Sequence, residues 1–272
     1  MKRFAVLAVS LAAVAGLVGC GGGGGDDVVG SPSGPSAEGY YAGTLRVTAF
    51  PATAGNPALP NTSNAFQMLV LESGEFWTFY GTPSGASLQV EGFAQGTGTS
   101  NGALFTAGGV RYFPAPPALA TNAVASASYN ASARSISGTI TDASTTATFN
   151  SVPLVAPAYS YTAAASLASV AGVWTVDGSG GEQYTLTVAG DGTFAAVPAP
   201  APGCSFTGNF VPRASGKNVF NVSVTNGGAP CSAPALVSTG VAFVSPAGAG
   251  FQLTFATVGD NRNLGAVISG VR

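Results

Sequence analysis

From Gly39 onward, apolar and polar residues alternate in short runs separated by glycine-containing turns. This is the period-two pattern of strands buried on one face. Leu45 and Val47 alternate with Thr44, Arg46 and Thr48, and Ile136 and Ile140 stand among serines and threonines from Ser135 to Thr141. Between these runs, residues 66–71 and 76–80 flank Glu72-Ser73-Gly74-Glu75, which predicts a hairpin. Further strands are predicted at 87–94, 103–107, 123–130 and 146–152, for about eight in all.

The pattern breaks at 153–165, where prolines and alanines cluster, and a domain boundary is expected near there. Residues 166–171 suit one short helical turn. Strand patterning then resumes at 172–176, 184–188, 193–197, 205–211, 220–225, 236–244, 251–255 and 264–271, again about eight. In this half Tyr184, Leu186 and Val188 alternate with threonines, and Phe251, Leu253 and Phe255 with Gln252 and Thr254.

The halves share a design. Each opens with Gly, one residue, then an aromatic (Gly39-Tyr40-Tyr41, Gly172-Val173-Trp174). Each soon has a hairpin ending in Gly-x-Phe (Gly74-Glu75-Phe76, Gly192-Thr193-Phe194). An internal duplication is expected, with two unrelated β domains or one large sandwich as alternatives. The fold class is all-β, in two tandem antiparallel domains, each a barrel or barrel-like sandwich. Closure into barrels suits a chain with few charges to protect open strand edges.

Composition sharpens this picture. The chain has 272 residues, of which 46% are apolar and only 7% charged, against about 25% charged in ordinary domains. Its surface must be polar through hydroxyls and amides. Seven scattered basic residues after position 3 give nucleic acid no footprint, since phosphate binding needs clustered Lys and Arg. Histidine is absent, which removes the commonest general base and metal ligand.

The N-terminus has a charged start (Lys2, Arg3), an apolar run from Phe4 to Val18 and small residues before Cys20, the three parts of a secretory signal. The run is short for a bilayer span of about 20 residues. Leu17-Val18-Gly19-Cys20 resembles the lipobox of bacterial lipoproteins. The resemblance implies cleavage before Cys20, which would carry three acyl chains, and Gly21 in place of Asp favours the outer membrane. Several chains make an anchor effectively permanent. After cleavage, seven basic and eleven acidic residues leave a charge of −4. Gly21 to Ser36 then reads as a flexible tether. The expected organisation is 1–19 signal peptide, 20–36 lipidated Cys and linker, 37–160 first β domain and 161–272 second. With Cys20 acylated, Cys204 and Cys231 remain as a pair at one end of a predicted hairpin, expected to form a disulfide.

The stretch from Ser166 to Trp174 resembles the opening of lipocalins, a short helical turn followed by Gly-x-Trp, in which the Trp plugs one end of a barrel. That resemblance implies a noncatalytic binding module for a small apolar ligand. The alternatives are binding of a protein partner and a structural or adhesive role in the envelope without a pocket.

Catalytic readings fare poorly. Gly98-Thr99-Ser100-Asn101-Gly102 matches Gly-x-Ser-x-Gly, but a nucleophile elbow needs a following helix and a base to take the serine proton. Lys217 sits in a turn-like setting. Glu72 and Glu75 are expected to point into solvent. Asp177 to Glu182 offers one Asp where a calcium loop needs several oxygen ligands. No enzyme activity, cofactor or metal is expected. A membrane-spanning barrel is disfavoured because the clearest strands are nearer six or seven residues than the 9–11 required. In 75–80, bulky side chains occupy both faces of one strand. Trp77 and Phe79 are therefore expected either at an exposed contact surface or against the neighbouring domain.

Overall fold

The computed structural model describes residues 35–49, 62–114, 120–156, 158–178 and 180–272. The signal segment, the lipobox with Cys20 and the glycine tether lie outside them. The first half contains β1 (Gly39–Ala49), β2 (Thr62–Val70), β3 (Glu75–Ser84), β4 (Ser87–Thr97), β5 (Thr99–Asn101), β6 (Leu104–Phe113), β7 (Thr121–Asn130), β8 (Ser135–Asp142) and β9 (Thr145–Ser151). The second contains α1 (Leu167–Val170), β10 (Gly172–Gly178), β11 (Gln183–Val188), β12 (Thr193–Pro198), β13 (Phe206–Pro212), β14 (Phe220–Asn226), β15 (Val237–Ala247), β16 (Gly250–Gly259) and β17 (Gly265–Val271).

Each half is an eight-stranded antiparallel barrel of up-and-down order. In the first, β1 pairs with β9, and a short β4–β6 ladder from Phe93–Phe113 to Gln95–Arg111 closes the ring. The three-residue β5 folds back on the start of β6 as an added hairpin. In the second, β10 pairs with β17 to close the ring directly.

The shared design extends to single hydrogen bonds. Tyr41 donates its hydroxyl to the Ala37 carbonyl at 2.8 Å, and Trp174 donates Nε1 to the Val170 carbonyl at 2.7 Å, four residues back in both cases. The β2–β3 and β11–β12 turns are also superposable in pattern: Gly74 N–H donates to Leu71 O, as Gly192 N–H does to Ala189 O. Both glycines have positive φ, +80° and +89°, and a Cβ would lie 2.3 Å from a backbone carbonyl oxygen, that of Gly98 for Gly74 and of Phe210 for Gly192. Only glycine fits such a position.

Interiors are apolar and exteriors are polar. Phe66, Phe76, Phe105, Phe149 and Ile136 fill the first barrel, while Trp174, Phe194, Phe210, Phe220 and Phe255 fill the second. Facing decides against a membrane-spanning barrel. Several strands exceed the expected six or seven residues, with eleven each in β1, β4 and β15. Yet β7 turns Asn122, Ser126, Ser128 and Asn130 outward with a single Val124 among them, where a membrane barrel needs a continuous apolar band.

A third apolar core lies between the barrels. Outward-facing residues of β2–β4 meet outward-facing residues of β15–β17, and Tyr159 and Tyr161 of the connecting segment join them. Phe243 anchors this seam, with ring centroids of Phe79, Tyr159 and Tyr40 at 5.5, 5.5 and 5.8 Å. Phe93 stacks on Phe113 at 4.3 Å, and Gly265 leaves room for them: a Cβ there would lie 2.8 Å from both rings. Polar contacts ring the core. Gln252 accepts from Leu88 N–H and donates to Leu88 O, replacing a missing strand pair across the seam. Arg262 donates to Gln95, Arg213 pairs with Glu72 at 2.8 Å and Lys217 with Glu38 at 2.9 Å.

Candidate functional site

The plugged ends are set by sequence. In the second barrel, α1 folds under the open strand ends and buries Val170, while positive φ at Gly172 turns the chain upward so that Trp174 enters the interior. The Arg272 guanidinium lies 4.1 Å from the Trp174 ring centroid and donates to Ala171 O and Ser169 O. This cation–π contact tethers the last residue to the plug.

At the opposite end this barrel is open. A cleft of about 310 Å³ is lined by Tyr184, Phe206, Val224, Phe255, Leu264 and Ile268, with small residues Gly178 and Ala266 along one wall. Its floor is aromatic, Tyr184 packing edge-on against Phe206 at 5.1 Å. A buried hydroxyl pair, Ser238 donating to Thr257 at 2.9 Å, forms part of the wall, and Glu182 and Asn226 stand at the rim. Below the cleft, Phe194, Phe210 and Phe255 mutually pack and leave no further depth. Among the described residues, the apolar space inside the first barrel is about 10 Å³, beside Thr78, Tyr80 and Tyr112, and the larger concavity on that barrel, about 490 Å³ along Thr44, Arg46, Thr48, Thr148 and Asn150, is on its polar outer face.

Cys204 and Cys231 form a disulfide at this mouth, joining the β12–β13 and β14–β15 connections, and Cys204 lines the cleft. The bridge closes a loop of 27 residues. On chain-entropy grounds it stabilises the fold by about 3–4 kcal/mol. The Cys204→Ser/Cys231→Ser pair is therefore expected to lower the unfolding free energy in denaturant titrations by about that amount. A loss under about 1 kcal/mol would show that the mouth loops are ordered without it.

The other residues singled out by sequence have structural partners. Trp77 and Phe79 are buried in the seam, not exposed. Glu72 and Glu75 do not simply face solvent: Glu72 pairs with Arg213, and Glu75 Oε1 accepts from Trp77 Nε1 at 2.9 Å and Gln95 Nε2 at 3.2 Å. Burial opposes ionisation of Glu72, but backbone and Arg213 hydrogen bonds outweigh it and hold its carboxyl below the usual range. Ser100 Oγ accepts from Ala37 N–H at 3.0 Å, tying the lead-in of β1 to the β5 hairpin. Lys217 lies over Tyr161 as well as beside Glu38. Asp177 and Glu182 bracket the β10–β11 turn, and among the described residues no three metal-ligating side chains cluster.

No protein-family model matches the chain, and no curated protein matches it. Among solved structures it is similar to a crystal structure from Bacteroides fragilis described as a "putative outer membrane protein". The identity is 12% and the TM-score 0.29, over 87% of this chain and 98% of that one. A score this low carries no argument about the site, whose reading rests on the chain's own residues.

Sequence reasoning missed the seam residues Phe243, Gln252, Gly265, Tyr159 and Tyr161. One signal was available: Val241 and Phe243 alternate with Ala242 and Val244, so β15 is apolar on both faces, which requires cover on both sides.

Proposed function

We propose that this protein is a noncatalytic, membrane-tethered binding module of the bacterial envelope, taking a small apolar ligand at the mouth of the second barrel. The observation that carries the reading is the contrast between the barrels. Among the described residues the first holds an interior space of only about 10 Å³, while the second ends in an apolar cup of about 310 Å³, near the lower bound of small-molecule sites at about 300–1,000 Å³. A cup this shallow suits a short branched acyl group or a single aromatic ring. The ligand's polar end would meet Glu182 or Asn226 at the rim. The tether reading rests on the lipobox at Cys20 and the glycine-rich stretch after it.

Two measurements test this. The Cys20→Ser variant is expected to move from the membrane fraction to the soluble one, and continued tight membrane association would overturn the anchor. Native mass spectrometry of that full-length soluble variant is expected to show a retained small molecule that Ala266→Trp, which fills the cup, expels. No retained mass, together with no saturable binding of anilinonaphthalene sulfonate that Ala266→Trp abolishes, would sink the ligand reading. The packed first barrel and its aromatic seam would then favour the structural alternative, a rigid spacer without a pocket.

A further inference from the structure

A second concavity lies on the flank of the seam and, unlike the mouth, has a guanidinium in its lining and no phenylalanine. It is a groove of about 370 Å³, walled on one side by Glu75 and Trp77 of β3 and on the other by outward-facing residues of β13–β16. We propose that this groove binds a neutral polyhydroxylated ligand, a short segment of a glycan. The proposal is independent of the mouth and its ligand.

Three observations point to it. First, its two charged groups are fixed before any ligand arrives. The Glu75 carboxylate is held through one oxygen by Trp77 and Gln95, and the Arg213 guanidinium is held by Glu72 through Nε and by Asn221 through Nη1. Fixed donors and acceptors lose little freedom on binding. Second, Asn209, Ser223 and Thr239 line the same groove and make no side-chain hydrogen bond within the described residues. Hydroxyls and amides both donate and accept, as the vicinal hydroxyls of a sugar require. Third, Val211, 48% exposed, and the half-buried Val258 line the same groove, offering apolar surface to the C–H face of a pyranose ring. Arg213 is paired with Glu72, and Arg262, which donates to the same Gln95 that holds Glu75, offsets Glu75, so the groove has no net charge to select an anion or a cation.

The test uses the full-length Cys20→Ser protein and three probes: chitotetraose, cellotetraose and maltotetraose, followed by isotope-edited NMR. Saturable shifts at groove residues with any of the three support the proposal. Preference for chitotetraose indicates an N-acetylhexosamine glycan such as that of a cell wall, and preference for a glucan indicates one from outside the cell. Glu75→Gln, which keeps an acceptor for Trp77, is expected to weaken binding at least tenfold. Asn209→Ala, which breaks no internal hydrogen bond, is expected to weaken it about fivefold. Thr185→Ala, on the outward face of β11, leaves it unchanged. No shift with any probe at about 10 mM, where even a millimolar affinity would register, overturns the proposal. So does binding that survives both groove variants.

Discussion

Replacement of Phe243 by alanine is expected to lower the unfolding free energy by about 3–5 kcal/mol, the range for deleting a fully buried aromatic ring. Phe243 has no exposed surface and contacts aromatic rings of the first barrel and of the connecting segment. The seam cannot collapse around the void, because neighbouring strands on both sides belong to closed barrels. The informative control is on the same hairpin. Phe251 is 51% exposed, so Phe251→Ala should cost no more than about 0.5 kcal/mol. Denaturant titration followed by tryptophan fluorescence distinguishes the two, since Trp77 lies in the seam and Trp174 in the second barrel. Both are expected to report one cooperative transition in the parent protein. Separate transitions, or a Phe243→Ala loss below about 1 kcal/mol, would show that the barrels are stable without the seam.

The second large effect is alkaline unfolding. Burial, reinforced by Tyr129 and Glu38, pushes the Tyr41 hydroxyl up to about 12. Burial also raises Tyr40, Tyr80, Tyr159 and Tyr161 beyond that. A tyrosine whose folded pKa exceeds its unfolded value of about 10 contributes its full stabilisation below pH 10 and loses it as pH rises toward the folded value. At Tyr41 alone a shift of this size corresponds to about 3 kcal/mol. Stability should therefore fall steeply above pH 10, and tyrosinate absorbance should appear together with loss of the β-sheet circular dichroism. Ionisation of most tyrosines before that loss would contradict the burial. The acid limb has the opposite sign. Burial of Asp142 is outweighed by the N–H groups and hydroxyls of Ser144 and Thr145, and Glu72 is likewise depressed. Their contributions are present above about pH 4 and lost as pH falls through the folded values.

Strand positions were legible because almost every strand has one apolar and one polar face. All sixteen barrel strands fall where alternation places them, and the short α1 lies within 166–171. Alternation fails in β16. Leu253 and Phe255 do face the interior, but Phe251 is half exposed whereas Gln252 and Thr254, on the nominally wet face, are 2% and 0% exposed. A polar residue can be buried when its hydrogen bonds are met, and Gln252 meets them with the Leu88 backbone and Ser269. Period-two reasoning reports faces of one strand and cannot see a partner 164 residues away. The proline-broken stretch 153–165 is a boundary by pattern, yet its Tyr159 and Tyr161 are part of the apolar seam. The sequence hinted at that contact in Trp77 and Phe79, bulky on a face that should be wet, and in β15, apolar on both faces. The cup at the second mouth left no trace in pattern at all, because it is made by small residues at strand ends.

The repeated design gives the seam a property that a symmetric dimer would lack. By position in the ring, β2–β4 correspond to β11–β13, and β15–β17 to β7–β9. The seam therefore joins one face of the first barrel to a different, non-corresponding face of the second. Such heterologous contacts do not close on themselves and, repeated, build open filaments. Among the described residues the contact occurs once, and the two corresponding faces it leaves free differ from it in composition. Where the seam has Trp77, Phe79 and Phe243, those faces expose Thr185, Thr187 and Thr207 on the second barrel and Ser126, Ser137 and Thr148 on the first. On both faces hydroxyls, with the isolated Val197 and Val124, stand where the seam has aromatics. The surfaces that join the two barrels are thus not repeated on their corresponding outer faces.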